Sequence, residues 1–322
     1  MPYALKRPRL WYERRGAGEP LLLITGFTIS SAIFDPILPL YENRFECITY
    51  DHRGSGRSGA PFVATSMPEL AADAARLLDA LGIESAHVYG LSMGGMVAQE
   101  LAIRFPERVR GLVLGCSTPG GPRAIRPTVG EWRALLAAMA GGLREEGRPW
   151  LAGALFSPEF RRSEPERVRE LLCHFAAHRA PPHGAWSHFL ASVYHDTHSR
   201  LGRIQAPTLV LHGERDAMAP IANARLFADR IPDPELRIVP GAGHAYGLEK
   251  PEESRDLFVD WLDSRAPIAA GEPRSGLSAR AEPVTRALGL PIGAVRTGRS
   301  FVGYAADRIK GGSDVEADRR AA

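Results

Sequence analysis

The chain has 322 residues, of which 44% are apolar, and a formal net charge of +3 at pH 7. This is enough apolar material for one large core, and no apolar run approaches the length that crosses a bilayer. Residues 266–322 carry nine basic and six acidic residues, which is the whole charge excess. The preceding part is therefore neutral overall, which argues against nucleic-acid binding.

Cysteine usage and the first residues indicate a cellular compartment. Cys47, Cys116 and Cys173 cannot all pair and show no metal-binding spacing. Met1 to Gly16 contains no apolar core of the kind found in signal peptides. The sequence therefore predicts a cytoplasmic protein, without a bound metal or cofactor.

Two early buried strands are each followed by a loop rich in glycine or polar residues. Leu21 to Ile24 precedes Thr25-Gly26-Phe27-Thr28, where Gly26 lets the backbone approach another segment closely. Cys47 to Tyr50 precedes Asp51-His52-Arg53-Gly54-Ser55-Gly56-Arg57-Ser58. We interpret this second loop as structural.

A pentapeptide with the pattern Gly-x-Ser-x-Gly lies between a strand and a helix. Ala86 to Tyr89 is an apolar run, Gly90-Leu91-Ser92-Met93-Gly94 is the pentapeptide, and Met96 to Phe105 has helical character. A strand that turns sharply into a helix presents one hydroxyl above the sheet, and Gly90 and Gly94 leave room for the turn. The context predicts that Ser92 is a nucleophile.

Residues 118–203 separate two sheet strands by more than a simple crossover needs, so we interpret them as a helical cap. Glu131 to Ala140 and Arg161 to Ala177 have apolar spacing typical of helices. The spacing of His174 and His178 could suit a metal, but no neighbouring cysteine or pair of carboxylates completes a site.

Aromatic and basic cap residues leave two alternatives open. Trp132, Trp150 and Trp186 could form a substrate pocket, or they could pack the cap onto the core. Three arginines could receive an anionic substrate, or they could belong to a solvated face: Arg123, Arg126 and Arg133.

An acid and a histidine follow two later strands. Thr208 to Leu211 precedes a loop that contains Asp216, and Leu236 to Val239 precedes a loop that contains His244. Strand ends of open α/β sheets collect catalytic groups. The sequence therefore predicts a triad in which His244 takes the serine proton and Asp216 orients His244. Glu214 is an alternative acid.

Acyl transfer also needs donors for the developing oxyanion. The backbone N–H of Met93, directly after the nucleophile, is the first predicted donor, and that of Phe27 is the second.

These motifs together identify the chain as resembling the α/β-hydrolase superfamily over roughly residues 5–265. Residues 90–99 and Phe105-Pro106-Glu107-Arg108-Val109 resemble the branch that holds 3-oxoadipate enol-lactonases, small carboxylesterases and cofactor-free haloperoxidases. Relatives often carry His-Gly where this chain has Thr25-Gly26, and because the donor is a backbone N–H we expect only the local hydrogen bonding to change.

The resemblance implies an α/β fold with a mostly parallel, doubly wound sheet. We expect the hydrolase core to span residues 1–117 and 204–265 and the inserted cap to span 118–203. The expected activity is hydrolysis of small-molecule carboxylic esters or lactones through an acyl-enzyme. Enol-lactone hydrolysis, cofactor-free perhydrolysis and a non-catalytic binding module are alternatives.

Residues 266–322 form a C-terminal extension beyond the resemblance. Prolines and glycines at its beginning indicate a linker. Residues 284–310 mix apolar and basic side chains, so they could make a weak contact with an anionic membrane or a protein, or belong to a disordered tail.

Overall fold

The computed structural model describes residues 3–5, 8–59, 64–130, 132–133, 148–177 and 180–265. The predicted tail contact at 284–310 and most of the predicted helix Glu131 to Ala140 lie outside these residues. No helix in the described part of the chain is both long and apolar enough to span a membrane. The cytoplasmic location stays a prediction.

An eight-stranded sheet with the order β1-β2-β4-β3-β5-β6-β7-β8 forms the centre of the molecule. β1 pairs antiparallel with β2, β2 pairs antiparallel with β4, and all the other pairs are parallel. The strands are β1 Tyr3–Ala4, β2 Leu10–Arg15, β3 Glu19–Ile24, β4 Phe45–Tyr50, β5 Ala86–Leu91, β6 Val109–Gly115, β7 Thr208–Gly213 and β8 Pro234–Val239.

Helices cover both faces of the sheet because the strands are apolar on both sides. In β3, Leu22 and Ile24 join one buried cluster, whereas Leu21 and Leu23 join the other. This alternation follows from the two-residue period of a strand. The predicted mostly parallel, doubly wound fold is confirmed.

The described helices begin and end close to the polar and proline signals in the sequence. They are α1 Met67–Ala80, α2 Met93–Arg104, α3 Arg148–Leu155, α4 Pro158–Ser163, α5 Pro165–Ala177, α6 Pro182–Val193, α7 Ala222–Ala228, α8 Tyr246–Glu249 and α9 Pro251–Asp263. Ser66 caps α1 by accepting the N–H of Glu69 at 3.4 Å.

The predicted single helix from Arg161 to Ala177 is wrong, because the structure has two. α4 ends at Ser163, Glu164 leaves the helical conformation with φ −126° and ψ 51°, and α5 begins at Pro165. Proline lacks the N–H that would continue α4 and suits the first turn of a new helix. The apolar spacing alone did not show this interruption.

The two ends of the predicted cap, residues 118–203, lie side by side. The Gly121 N–H donates to the carbonyl oxygen of His195 at 2.9 Å, and the Thr197 N–H donates to that of Pro119 at 2.9 Å. Gln99 of α2 donates to the Thr118 carbonyl oxygen at 3.1 Å and accepts from the Thr197 hydroxyl. The insertion is therefore anchored at both ends to the helix that follows Ser92.

Buried histidines contribute to packing in the same region. On α6, His188 is fully buried and donates Nε2–H to the Arg53 carbonyl oxygen at 2.8 Å, with its ring 5.9 Å from that of His52. Burial, with the neighbouring His52, lowers the pKa of His188 to about 4. Burial also lowers the pKa of His195 to about 4. Both side chains are neutral near pH 7.

We expect the free energy of unfolding to decrease as pH falls from about 6.5 toward 4. An unfolded histidine takes up a proton near pH 6.5, whereas the folded groups do so near 4, so the unfolded chain binds more protons in this window. Each histidine should cost on the order of 3 kcal/mol across the window. Urea unfolding at a series of pH values measures the decline.

The matched variant is His188→Gln, which keeps an N–H for the Arg53 carbonyl and does not titrate. It should flatten the decline by about 1.4 kcal/mol per pH unit. A decline as steep as that of the unmodified protein would contradict the buried neutral state.

Candidate active site

Ser92 lies at the sharp turn between β5 and α2. Its backbone has φ 54° and ψ −116°, a conformation that costs a non-glycine residue on the order of 1–3 kcal/mol. The turn is fixed on both sides, because the Ser92 N–H donates to the Gly115 carbonyl oxygen at 2.8 Å and the Ser117 hydroxyl donates to the Ser92 carbonyl oxygen at 2.8 Å. The strain is thus held at the predicted nucleophile.

The two glycines of the pentapeptide have no room for a side chain. A Cβ on Gly94 would overlap the carbonyl oxygen of Ile24 at the end of β3, and one on Gly90 would overlap the carbonyl oxygen of Gly94. The new helix therefore passes directly against its own strand and the neighbouring strand. This close packing is what the sequence pattern predicted.

The loop after β3 lies against Ser92. A Cβ on Gly26 would stand 3.4 Å from Ser92 Cβ and 3.9 Å from Ser92 Oγ. Phe27 follows Gly26 and lines the same cavity as Ser92. This placement fits the predicted oxyanion donors Phe27 and Met93.

A histidine from another loop stabilises the Thr25-Gly26 segment, where relatives often carry His-Gly. His52 Nε2 donates to the carbonyl oxygen of Thr25 at 3.1 Å, and His52 is almost fully buried. The partner lies in the loop that we interpreted as structural. There Asp51 accepts the Ser31 N–H at 2.8 Å and the Arg57 N–H at 2.7 Å. The change at Thr25 therefore leaves the loop held by a backbone carbonyl.

Asp216 and His244 meet at the carboxyl ends of β7 and β8. His244 Nδ1 lies 2.9 Å from each carboxylate oxygen of Asp216. The Asp216 Oδ1 atom also accepts the N–H groups of Met218 at 2.9 Å and Ala219 at 2.8 Å. Glu214, the alternative acid, instead accepts the Gly241 N–H at 2.8 Å.

The surroundings of Asp216 keep it ionised although the carboxylate is buried. Burial would raise its pKa, but the charge of His244 and hydrogen bonds from His212 and His244 lower it to about 2. A carboxylate at this position can hold the His244 ring with Nδ1 protonated, which leaves Nε2 free to accept a proton.

Cys116 lies beside this pair, directly after β6. Its Sγ, a carboxylate oxygen of Asp216 and a ring nitrogen of His244 all lie within 4.8 Å of one another. Burial raises the pKa of the Cys116 thiol well above its ordinary value, so the thiol is neutral. Because Asp216 and His244 already bond to each other, we interpret Cys116 as a packing neighbour rather than as a metal ligand.

Ser92 and His244 open onto one cavity of about 120 Å³. The side chains that line it are mostly apolar, and they come from the loop after β3, from α3 and α5, and from the His244 loop. The lining residues are Gly26, Phe27, Thr28, Ile29, Ile33, Phe34, Ile37, Leu91, Ser92, Cys116, Leu151, Ala154, Leu155, Phe175, Met218, His244, Ala245, Tyr246, Gly247 and Leu248.

The structure does not bring the predicted pocket tryptophans to this cavity. Trp132 and Trp186 each meet the ring of Phe189 edge-on, with centroids 5.8 and 5.7 Å away, and Trp186 is 47% exposed. Neither is among the described lining residues, and both rings pack against Phe189 of α6 instead. The side chain of Trp150 lies outside the described residues.

The predicted cap is joined directly to the loop that contains His244. Glu249 accepts the N–H groups of Ser157 and Gly243, each at 2.9 Å, and the Ser157 hydroxyl at 2.7 Å. The Ala245 N–H donates to the Leu155 carbonyl oxygen at 2.8 Å. The C-terminal end of α3 is therefore tied to the residues on either side of His244.

Comparison with known sequences shows which family the chain belongs to. The α/β-hydrolase fold family matches residues 19–251. The chain belongs to this family. It is 30% identical over 260 residues to a putative carbamate hydrolase RutD of Azorhizobium caulinodans. The aligned region covers 80% of this chain and 97% of the relative. It is also 30% identical over 216 residues to 3-oxoadipate enol-lactonase 2 of Acinetobacter baylyi, covering 66% and 76%.

A solved structure gives the same fold. A thermophilic esterase from Thermogutta terrifontis superimposes with a TM-score of 0.68 at 27% identity, covering 82% of this chain and 97% of that one. The resemblance stated from the motifs is confirmed at the level of the family, and the chain is a hydrolase. The relatives' names differ in substrate, so the catalytic residues and the substrate of this α/β hydrolase are proposals.

Sequence reasoning missed several residues of the site. Ile33, Phe34 and Ile37 line the cavity from the segment after the loop of Gly26 and Phe27, and Phe175 reaches it from α5. Their apolar character was visible, but only the fold shows which apolar residues face Ser92. His212 was not singled out from the sequence, although its Nε2 lies 3.2 Å from Asp216 Oδ2.

We expect Gly94→Ala to destabilise the protein by about 3 kcal/mol or more. The added methyl group would overlap backbone that the sheet holds in place, so the helix and strand must separate. Gly202→Ala is the matched control, because its Cβ would lie 3.7 Å from the nearest atom. Denaturant unfolding measures both variants, and an equal loss of unfolding free energy in the two would contradict the steric explanation.

Proposed function

We propose that this protein is a serine hydrolase of carboxylic esters or lactones. The observation that supports it most is that Ser92, held in a strained turn, shares one cavity with His244, whose ring is bound to the buried carboxylate of Asp216. Relatives named as a lactonase, an esterase and a carbamate hydrolase agree with this class of reaction.

In the proposed mechanism Ser92 Oγ attacks the carbonyl carbon of the substrate while His244 Nε2 takes the hydroxyl proton. Asp216 stabilises the imidazolium that forms, and the N–H groups of Phe27 and Met93 bind the oxyanion. His244 then gives the proton to the leaving oxygen. Water, activated by the same histidine, cleaves the acyl-enzyme and restores the Ser92 hydroxyl.

Two alternatives within the scaffold keep the same residues. Enol-lactone hydrolysis is one, and perhydrolysis of a short acid is the other. A binding module without catalysis is the alternative of another class. A binding module needs neither the strained conformation of Ser92 nor the hydrogen-bonded pair of Asp216 and His244, and for that reason we favour the enzyme.

The test is active-site labelling together with Ser92→Ala. A small fluorophosphonate should label the unmodified protein at Ser92, and Ser92→Ala should neither label nor turn over an ester, with a loss on the order of 10⁴-fold or more. Thermal unfolding shows that the variant is folded. A folded protein that does not label, or a variant that keeps a tenth of the rate, would exclude the serine mechanism.

A further inference from the structure

The cavity next to Ser92 has little that could bind a charged group. Its described lining includes no Asp, Glu, Lys or Arg side chain. The lining phenol, Tyr246, is already bonded to Tyr89 at an O–O distance of 2.8 Å, and the lining thiol, Cys116, is neutral. The other polar side chains of the described lining are the hydroxyls of Thr28 and Ser92 and the ring of His244.

The inner wall of the cavity is built from side chains that are buried in the core. Phe34 and Phe175 are 1% and 2% exposed, and Ala154 of α3 is 4% exposed. Phe34 and Phe175 lie in the same buried cluster as the sheet face beneath them, so this part of the wall is continuous with the hydrophobic core. A group that enters the cavity exchanges water for apolar surface.

The arginines that could have received an anion do not reach this cavity. Arg123 and Arg133 are exposed, and neither they nor Arg126 are among its described lining residues. No cation among the described residues lines the cavity, so a substrate carboxylate there would lose its hydration without gaining an ion pair with them, which is strongly unfavourable. Moving an alkyl chain from water into the cavity is favourable, and each buried methylene should raise its affinity about fourfold.

We propose that the substrate is an ester or lactone with an uncharged, apolar chain that fills this cavity. The inference rests on the proposed function and goes further, because it excludes an acid-bearing substrate such as the lactone of 3-oxoadipate. The chain would pack between α3 and Phe34, with the carbonyl carbon at Ser92.

The test compares straight-chain para-nitrophenyl esters of increasing acyl length, alkyl acetates of increasing alcohol length, and one matched pair. The pair is the hexanoate and the adipate monoester, which has a similar chain but ends in a carboxylate. We expect kcat/KM to rise about fourfold per methylene in one series until the cavity is full. The carboxylate should lower kcat/KM at least about tenfold.

Two variants on α3 test whether this cavity determines the preferred chain length of the substrate. Ala154→Leu should shorten the preferred chain by about three carbons, the number that it adds to the wall. Ala152→Leu is the control, because Ala152 lies two residues away on the same helix and is 7% exposed, but is not among the described lining residues. It should leave the preferred length unchanged.

The outcomes separate this inference from the proposed function. Labelling by the fluorophosphonate with no gain from longer chains in either series, or with faster turnover of the adipate monoester, overturns the substrate class and leaves the serine hydrolase standing. A shift of the preferred length by both alanine variants also overturns it. Absence of both labelling and ester turnover overturns both proposals.

A separate observation concerns the second histidine at the acid. His212 is the second-last residue of β7 and is fully buried, as is the side chain of Asp216. Its Nε2 lies 2.6 Å from the Ala219 carbonyl oxygen and 3.2 Å from Asp216 Oδ2. A carbonyl oxygen only accepts, so Nε2 carries the proton and shares it with the carboxylate.

The structure assigns His212 as a positioning residue that acts through Asp216. His244 is bound to both carboxylate oxygens, and His212 Nε2 approaches Oδ2 at 3.2 Å. This second donor fixes the rotation of the carboxylate and supports its negative charge. The orientation of the His244 ring therefore depends on His212.

The test uses His212→Leu and His212→Gln. Leucine removes the donor and should lower kcat about tenfold or more while KM changes little, because the loss affects the transition state. Glutamine offers an N–H in a similar place and should restore most of kcat. Thermal unfolding confirms that each variant is folded at the assay temperature.

A double-mutant cycle distinguishes positioning from mere packing. In the Asp216→Asn background, His212→Leu should change the residual kcat by less than about twofold, because the carboxylate that it serves is gone. An equal loss in both backgrounds, or a glutamine variant as slow as the leucine variant, would overturn the assignment.

Discussion

The site depends on keeping a negative charge in the interior, on the side chain of Asp216. Taking a carboxylate out of water is costly, and here donors from three directions offset the cost: the N–H groups of Met218 and Ala219, the ring of His244 and the ring of His212. The charge of His244, together with hydrogen bonds from His212 and His244, outweighs burial and lowers the pKa of Asp216 to about 2. A charge held in this way has one orientation, and it imposes one orientation on His244.

The parallel sheet supplies this arrangement because neighbouring strands end at the same edge. β6 lies between β5 and β7, and β8 follows β7, so the turns after these strands bring Ser92, Cys116, Asp216 and His244 together although they are far apart in sequence. The strain at Ser92 is sustained by hydrogen bonds to Gly115 and Ser117, from the end of β6. Fold stability and site geometry therefore share the same contacts.

The sequence predicted what local chemistry determines. β3, β4, β5, β7 and β8 lie where apolar runs indicated strands, and Ser92, Asp216 and His244 follow strand ends as expected. The sequence did not predict the features that depend on packing between distant segments, such as which apolar side chains line the cavity. Trp132 and Trp186 were as apolar as Phe34 and Phe175, and only the path of the chain decides that the phenylalanines face the cavity. The break at Pro165 was visible as a residue, but apolar periodicity continued across it.

The hydrogen bonds around Glu249 limit which segment can be exchanged between related proteins to change the substrate. An inserted region is usually thought of as a module with its own boundaries, here near residues 118 and 203. Glu249 joins Ser157 to Gly243, and Leu155 is bonded to Ala245, so part of the insertion is structurally an extension of the histidine loop. A recombinant that replaces the whole insertion would leave Glu249 without its partner Ser157 beside the loop of His244, whereas one that keeps Leu155 to Ser157 would preserve these bonds. The unit that evolution or design can exchange freely is thus smaller than the insertion.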